Sequence, residues 1–386
     1  MPHFLDNELM LLYLLCSIIT LFLASLSIIT RSKKLDNFTL ILSFVLITLF
    51  YGLRYPGTTD TKMYLSEFDS LSNLDSFSWG WGFYALMKFI AIFGKSHQLY
   101  IFASSLFLTF CLLIFVIYTF KGKNYKSLLI IACFYSWDVL ELSTNAYRQG
   151  VSSILAGIAC VLLYRKHYIW ASLIFYIALS FHWGAIVVVL VCVLSYFFMN
   201  TIMTIYAARI ALVMFVIAIV VKIDIMGLLY EHVSALSFLF SGVNLSSKAD
   251  AYLAGGVDGA NFYDFNVPRR VYNILTTLIP LILLVCFTVK KENRNYIFSD
   301  DNSRCILSLF SMLSIYGVLL ISMTWFMRNF YWNTFFSCAI YPLLLHFVQE
   351  KSPKKLTKYC IALSVFLLLF SCITMWRTPS IFISYP

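Results

Sequence analysis

Residues 9–29 read LMLLYLLCSIITLFLASLSII, and this run decides the fold class. A helix needs about 20 apolar residues to cross a bilayer, so the run predicts a membrane span. It follows the acidic start MPHFLDNE, so we expect a span and not a cleaved signal peptide. Similar runs recur along the 386-residue chain, of which 61% is hydrophobic and 12% is charged. The sequence therefore predicts an integral membrane protein.

The apolar runs predict an all-α, polytopic transmembrane protein with about 12 spans in a single membrane domain, residues 1–386. A further run, residues 81–94, is short and carries Lys88, so we expect a short amphipathic helix on the outer surface. Two external loops, residues 54–98 and 222–270, are long enough to form structure of their own. The predicted spans are 9–29, 38–53, 99–119, 127–143, 149–164, 168–181, 183–199, 203–221, 271–289, 305–325, 330–348 and 359–376.

The charged residues predict the orientation of these spans. Sixteen of the 28 Lys and Arg residues fall in alternate hydrophilic segments, which the positive-inside rule assigns to the cytoplasm. These segments are 31–34, 121–126, 165–166, 290–304 and 351–358. The net charge of +10 is therefore a topology signal, and we expect no nucleic-acid partner.

Arginine is unusually frequent among the cations on the predicted outer side. The cytoplasmic segments hold twelve Lys and four Arg, whereas six of the eleven outer cations are Arg. The planar guanidinium binds phosphate or carboxylate oxygens through two parallel hydrogen bonds, so we expect a ligand with an anionic head and a lipid tail. The alternative is that each Arg only snorkels to lipid head groups. The candidates near the ends of apolar runs are Arg54, Arg148, Arg269, Arg270 and Arg328.

Three outer motifs add possible chemistry. STNAYRQG, residues 143–150, interrupts an apolar pattern, so Arg148 and Gln149 are expected to face a cavity. SFHWGA, residues 180–185, places His182 at the outer boundary as an acid or base, or as an interfacial residue bonded to backbone. GLRYPGTTD, residues 52–60, offers Asp60 as the other candidate base. No HExxH, DxD, CxxC or nucleotide-binding motif occurs, so neither a metal nor a cofactor is expected.

The order of GLRYPGTTD, YRQG and SFHWGA resembles the EpsG-type group of bacterial polysaccharide polymerases, a branch of the Wzy-type O-antigen polymerases. The likeness is closest over residues 38–200 and extends beyond them by topology. It implies a lipid-diphosphate-dependent, metal-independent glycosyltransferase similar to the C-type glycosyltransferase fold. The motif departs from the family in Pro56, which stands where a small or polar residue is common.

The resemblance also implies the substrates and the location. Oligosaccharide repeat units on undecaprenyl diphosphate would be both donor and acceptor, at the periplasmic face of the bacterial inner membrane. Membrane lipids and a chain-length regulator protein would be further partners. In this reading Arg148, Gln149, Arg269, Arg270 and Arg328 bind the diphosphate, Arg54 helps to shape the site, and Asp60 or His182 is the catalytic base.

Two other functions use similar features. A flippase or transporter for the lipid-linked oligosaccharide would need cations along a path through the membrane, whereas the candidate residues collect at one face. A glycan ligase would use the same donor, so the charges do not distinguish it from a polymerase, and an acyltransferase also remains open. The motif order favours the polymerase.

Overall fold

A computed structural model describes residues 8–54, 56–71, 79–123, 125–222 and 261–377 of the protein. The part of the chain so described holds eighteen α-helices and no β-strand, which confirms the all-helical prediction. The first ten helices are α1 (Glu8–Ile29), α2 (Lys33–Gly52), α3 (Thr59–Asp69), α4 (Trp81–Ala91), α5 (His97–Thr119), α6 (Lys126–Tyr135), α7 (Trp137–Thr144), α8 (Tyr147–Tyr164), α9 (Tyr168–Phe181) and α10 (Ala185–Phe198).

A short 3-10 helix, Phe262–Asp264, begins the C-terminal part of the chain that the structure describes. Most of the outer loop predicted at 222–270 precedes it and lies outside the described residues. The remaining α-helices are α11 (Thr201–Val220), α12 (Val267–Asn273), α13 (Leu275–Phe287), α14 (Lys291–Ile297), α15 (Asp301–Leu319), α16 (Met327–Phe330), α17 (Thr334–Lys351) and α18 (Pro353–Arg377).

Each predicted span corresponds to a helix or to a bent pair of helices, but fewer than twelve pass as full spans. Seven helices in the described ranges are long and apolar enough to cross a membrane, or nine if each of two bent pairs is one span. The other three predicted spans are α9 and α10, which have only 14 residues each, and α17, which ends in the polar sequence QEK. The polytopic membrane fold is confirmed.

The hydrophilic segments that were predicted to be cytoplasmic meet at one end of the bundle. Lys123 Nζ lies 2.8 Å from Asp300 Oδ2, and Arg165 Nε donates to Asn302 Oδ1 at 2.9 Å. Lys351 lies over the ring of Tyr296. These contacts join four of the five segments, which agrees with the alternation that the charge pattern predicted.

The core of the bundle surrounds α8. In α8, 89% of the 18 residues are buried, whereas in the most apolar 18-residue stretch of α18, at the periphery, 22% are buried. Its sequence YRQGVSSILAGIACVLLY is rich in small residues, which let neighbouring helices approach closely. Helices α5, α7, α9, α10 and α15 pack around it. The central position of α8 places Arg148, in its first turn, at the predicted outer end of the bundle.

Two predicted spans are broken. Helices α6 and α7 meet at an angle of 76° at Ser136, and α12 and α13 meet at 76° at Ile274. A break within a membrane domain leaves helix carbonyls that need hydrogen-bond donors. At the end of α6, Tyr13 Oη donates to the Phe134 carbonyl at 3.2 Å, and Thr374 Oγ1 donates to the Tyr135 carbonyl at 3.1 Å. Side chains of α1 and α18 therefore stabilise the first break.

The described residues of the loop predicted at 54–98 include the helices α3 and α4. The predicted amphipathic helix at 81–94 is confirmed as α4, which packs on α5 and α9 through buried Phe83 and Met87 and exposes Trp81 and Phe89. Helix α3 was not predicted; Tyr64 and Phe68 bury one of its faces against the bundle. Asp60 lies in the first turn of α3, so this helix fixes the position of the candidate base.

Candidate active site

Asp60 and Arg328 form an ion pair at the predicted outer end of the bundle. Arg328 Nη2 lies 3.9 Å from Asp60 Oδ2, and the side chains are 42% and 22% exposed, so a ligand can reach both. The backbone N–H of Asp60 donates to Asn145 Oδ1 at 3.1 Å, which ties the start of α3 to the end of α7. Burial raises the pKa of Asp60, while the charges of Arg328 and then Arg148 lower it. The three side chains thus share one electrostatic environment.

Arg148 is the second cation of this site. Its Nη1 donates to the Trp79 carbonyl at 2.8 Å, and its guanidinium lies 4.4 Å from the centre of the Trp79 ring. Its Nε is buried and has no hydrogen-bond partner among the residues described. A buried guanidinium donor without a partner is uncommon in folded proteins.

Gln149 has a different position from the one predicted. Its side chain is only 5% exposed, and Nε2 donates to the Arg328 carbonyl at 2.7 Å. It therefore holds the backbone of Arg328 instead of facing a cavity, because α8 turns this side chain into the bundle. The next residue of the YRQG motif is Gly150, where a side chain would collide with the Leu142 carbonyl of α7.

His182 lies at the end of α9, beside the segment that carries Arg328. Its ring centre is 5.5 Å from that of Trp332, and its Nδ1 accepts a hydrogen bond from the Gly184 N–H at 3.0 Å. Because Nδ1 is an acceptor, the neutral imidazole carries its proton on Nε2. This tautomer makes Nε2 a hydrogen-bond donor.

The structure does not bring the other three predicted arginines into this ion-pair cluster. Arg54 is 4% exposed, and its Nη1 donates to the Tyr51 carbonyl and to Ser105 Oγ, because α5 covers it. Arg270 donates through Nη1 to the Ile219 carbonyl and through Nη2 to the Tyr263 carbonyl. Arg269 is exposed and stacks 4.5 Å from the Phe265 ring centre.

The loop before α16 contains an unusual backbone conformation. Trp325 has a φ of 59°, in the left-handed region that non-glycine residues adopt at a cost of roughly 1–3 kcal/mol. The Arg328 guanidinium lies 5.8 Å from the Trp325 ring centre. Strain of this kind concentrates at ligand sites, and here it lies three residues from the ion pair.

Gly80 follows Trp79, whose carbonyl accepts a hydrogen bond from Arg148, and it provides a test of the packing. Its φ of 102° and ψ of 134° are strained for any side chain, and a Cβ there would collide with the Ser180 carbonyl at the end of α9. Gly122 has a positive φ of 82° with nothing within 4 Å of a built Cβ, so Gly122→Ala is the control for a positive φ without a collision. Positive φ should cost about 1–2 kcal/mol or more at either position, and more at Gly80, because its ψ lies outside the left-handed helical region.

We expect Gly80→Ala to lower the thermal unfolding temperature of the detergent-solubilised protein clearly more than Gly122→Ala does. The difference measures the collision with Ser180 together with the stricter backbone conformation at Gly80. Equal shifts for the two variants would contradict the close approach of the segment at residue 80 to α9.

Several residues of the site were missed by sequence reasoning. Tyr64 lies with its ring 5.9 Å from the Arg148 guanidinium, and Asn145 accepts the Asp60 N–H. The segment TTDTKMY carries a weak signal for α3, because a threonine precedes the helix and an acidic residue occupies its first turn. Nothing in the sequence pattern indicates that Asn145 faces α3.

Comparisons with known proteins give one match. The model of the EpsG family matches residues 37–385, a range that includes all three outer motifs. A search of the curated proteins and a search of the solved structures each found no match. The likeness to the C-type glycosyltransferase fold therefore stays a prediction.

Proposed function

The chain belongs to the EpsG family, and from this premise we propose that it joins oligosaccharide repeat units carried on undecaprenyl diphosphate. Family and fold together describe a polytopic membrane protein of the polysaccharide polymerase type. The proposed reaction takes place at the outer face of the bacterial cytoplasmic membrane, where the Asp60–Arg328 end of the bundle would face the periplasm. The donor is the growing chain on its lipid carrier, and the acceptor is a new lipid-linked unit.

One observation carries the proposal: an accessible carboxylate at 3.9 Å from one guanidinium, with a second guanidinium acting on it. Transfer of a sugar needs a base for the attacking hydroxyl and positive charge for the leaving diphosphate. Asp60 can supply the base, and Arg148 and Arg328 can supply the charge. These groups act without a metal ion in the proposed mechanism.

The proposed step has three bond changes. Asp60 takes the proton from the acceptor hydroxyl, whose oxygen then bonds to the anomeric carbon of the donor. The bond between that carbon and the phosphate oxygen breaks, and its electron pair goes to the diphosphate. The positive charges of Arg328 and Arg148 stabilise the new negative charge. His182 donates from Nε2 to substrate oxygens.

The remaining predicted residues have supporting roles in this proposal. Arg54 and Gln149 hold the backbone on either side of the site, as their buried contacts indicate. Arg269 is exposed and can contact the diphosphate from outside the ion-pair cluster. Arg270 fixes α12 to the segment at Tyr263. A chain-length regulator protein stays a proposed partner.

The proposal is tested by reconstitution. We expect the purified protein in lipid nanodiscs to convert a synthetic undecaprenyl-diphosphate repeat unit into a ladder of longer lipid-linked products. A repeat unit on undecaprenyl monophosphate is the control, because it lacks the diphosphate leaving group. Transfer of one unit to a lipid A core acceptor without a ladder would indicate a ligase. Movement of intact units across liposomes without new bonds would indicate a flippase.

A further inference from the structure

The indole of Trp325 is exposed beside the Asp60–Arg328 site. Trp325 is 44% exposed, and its ring centre lies 5.8 Å from the Arg328 guanidinium, whose Nη2 is 3.9 Å from Asp60 Oδ2. Within the ranges that the structure describes, no other charged or aromatic side chain contacts this ring. Part of the indole surface is therefore open to a ligand next to the ion pair.

The backbone of Trp325 has a conformation that a bulky residue rarely adopts. Its φ of 59° lies in the left-handed region, where such a residue is an outlier. Arg31 and Lys166 also have a positive φ, but each lies just past the end of a helix, α1 or α8, where this conformation is a common cap. Trp325 lies in the loop between α15 and α16, well past Leu319, so no helix end accounts for its conformation.

Contacts on both sides of Trp325 fix this loop. Before it, Asn261 Nδ2 donates a hydrogen bond to the Ser322 carbonyl. After it, Phe326 is 1% exposed, and its ring centre lies 5.2 Å from that of Phe262. Strained residues persist where the surrounding structure determines them in this way. The fold thus keeps an exposed tryptophan at a position where glycine fits without strain.

A role as a membrane anchor does not explain this backbone. Tryptophans are common at bilayer interfaces. Trp81 and Trp183 are 54% and 64% exposed at the predicted outer side, and neither has a positive φ. Exposure at the interface therefore does not require strain, and the strain at Trp325 points to a specific position of its ring beside Arg328.

The indole is suited to contact a sugar. Its face is electron-rich, and the C–H groups of a pyranose carry a small positive charge, so the apolar face of the sugar packs on the ring. The indole N–H can also donate to a sugar hydroxyl. Under the proposed function Arg328 binds the donor diphosphate, so the sugar bonded to that diphosphate lies next to the guanidinium that Trp325 contacts.

We propose that Trp325 is the stacking surface for the pyranose bonded to the donor diphosphate. This inference rests on the proposed function and adds to it the residue that recognises the sugar. Stacking contributes to the affinity for the donor, whereas the bond changes belong to Asp60 and the two arginines. Loss of the ring should therefore affect binding and leave the chemical step.

The test separates the sugar from the diphosphate. Two ligands are titrated by calorimetry into the full-length protein in detergent: farnesyl diphosphate, and a repeat unit on farnesyl diphosphate whose acceptor hydroxyl is methylated, so that no transfer occurs. We expect Trp325→Leu to weaken binding of the glycosylated ligand about tenfold, because leucine is apolar but has no aromatic face. Binding of farnesyl diphosphate should not change. Arg328→Ala should weaken binding of both ligands.

The kinetics give a second measurement. In nanodiscs Trp325→Leu should raise KM for the lipid-linked repeat unit about tenfold and keep kcat within about twofold of the wild-type value, as expected for the loss of ground-state binding.

Two further variants separate stacking from folding. Trp325→Gly removes the ring and relieves the backbone strain, so it should bind the glycosylated ligand as weakly as Trp325→Leu does, without a lower Tm. Trp81→Leu is the matched control on α4, where the Trp81 ring lies 5.6 Å from the ring of Tyr176. This variant should bind both ligands as the wild type does.

The inference is overturned if Trp325→Leu binds the glycosylated ligand as tightly as the wild type. It is also overturned if this variant binds both ligands equally weakly, which would indicate a structural role. In either case, binding of both ligands by the wild type leaves the proposed function standing. If the wild type binds neither ligand, the proposed diphosphate site fails and the inference fails with it.

Discussion

Replacing Arg328 with alanine is expected to lower the rate of polymerisation by about 100-fold or more. The guanidinium is proposed to stabilise the leaving diphosphate, and it also lies 3.9 Å from the Asp60 carboxylate. Its loss therefore removes a positive charge that stabilises the transition state. It also removes one of the two cations that act on Asp60. The measurement is the initial rate of ladder formation by the purified variant in nanodiscs.

Arg304→Ala is the matched control for Arg328→Ala. Arg304 Nη1 lies 3.8 Å from Asp301 Oδ1 in an exposed pair within one helix, at the predicted cytoplasmic end. Exposed pairs contribute about 0–1 kcal/mol, so this variant should keep the wild-type rate. A wild-type rate for Arg328→Ala would remove Arg328 from the active site. Equal losses for both variants would indicate a general effect of lost charge.

Asp60→Asn should lower the rate of polymerisation by about 100-fold, because the amide cannot accept the proton of the attacking hydroxyl. The side chain keeps its size, so the start of α3 and its hydrogen bond to Asn145 should persist. The control is Asp69→Asn at the other end of α3, where Asp69 Oδ2 pairs with His97 Nε2 at 2.9 Å on the surface. Activity retained by Asp60→Asn, with a wild-type ladder, would assign the base elsewhere.

The pH profile gives an independent test of the base. Burial raises the pKa of Asp60 above its usual value, and Arg328 and Arg148 oppose this shift. The active, deprotonated carboxylate is therefore lost on acidification at a higher pH than for an ordinary aspartate. Arg328→Gln removes a charge that lowers the pKa of Asp60. The acid limb of the pH profile of kcat/KM should therefore move to higher pH. A limb that stays in place would contradict the pairing.

The sequence indicated the residues of the candidate site because they interrupt an apolar pattern. Asp60, Arg148 and Arg328 are charged residues beside long apolar runs, and the structure brings all three together. Arg54 has the same pattern, yet it is buried through a contact with Ser105 on another helix. Charge and hydropathy along one helix do not specify which neighbouring helix covers a side chain.

The helix breaks were not predicted, for a related physical reason. Residues 127–143 have the apolar composition of a continuous span, and hydropathy is insensitive to a change of backbone direction at Ser136. The signal that was available is Asp138, an acid inside the predicted span. An ionisable residue at that depth indicates a polar cavity, and a cavity there implies irregular backbone.

Helices α9 and α10 are shorter than the other predicted spans, and this difference in length affects the surrounding lipid. Each has 14 residues and spans about 21 Å, whereas the 23 residues of α5 span about 35 Å. A bilayer core is about 30 Å thick, so the hydrophobic mismatch beside α9 and α10 favours local thinning of the bilayer. The turn between these helices carries His182 and Trp183. Such thinning would draw the head-group layer toward the depth of the candidate site, and under the proposed function acyl-chain length would then affect how the lipid-linked substrate approaches it.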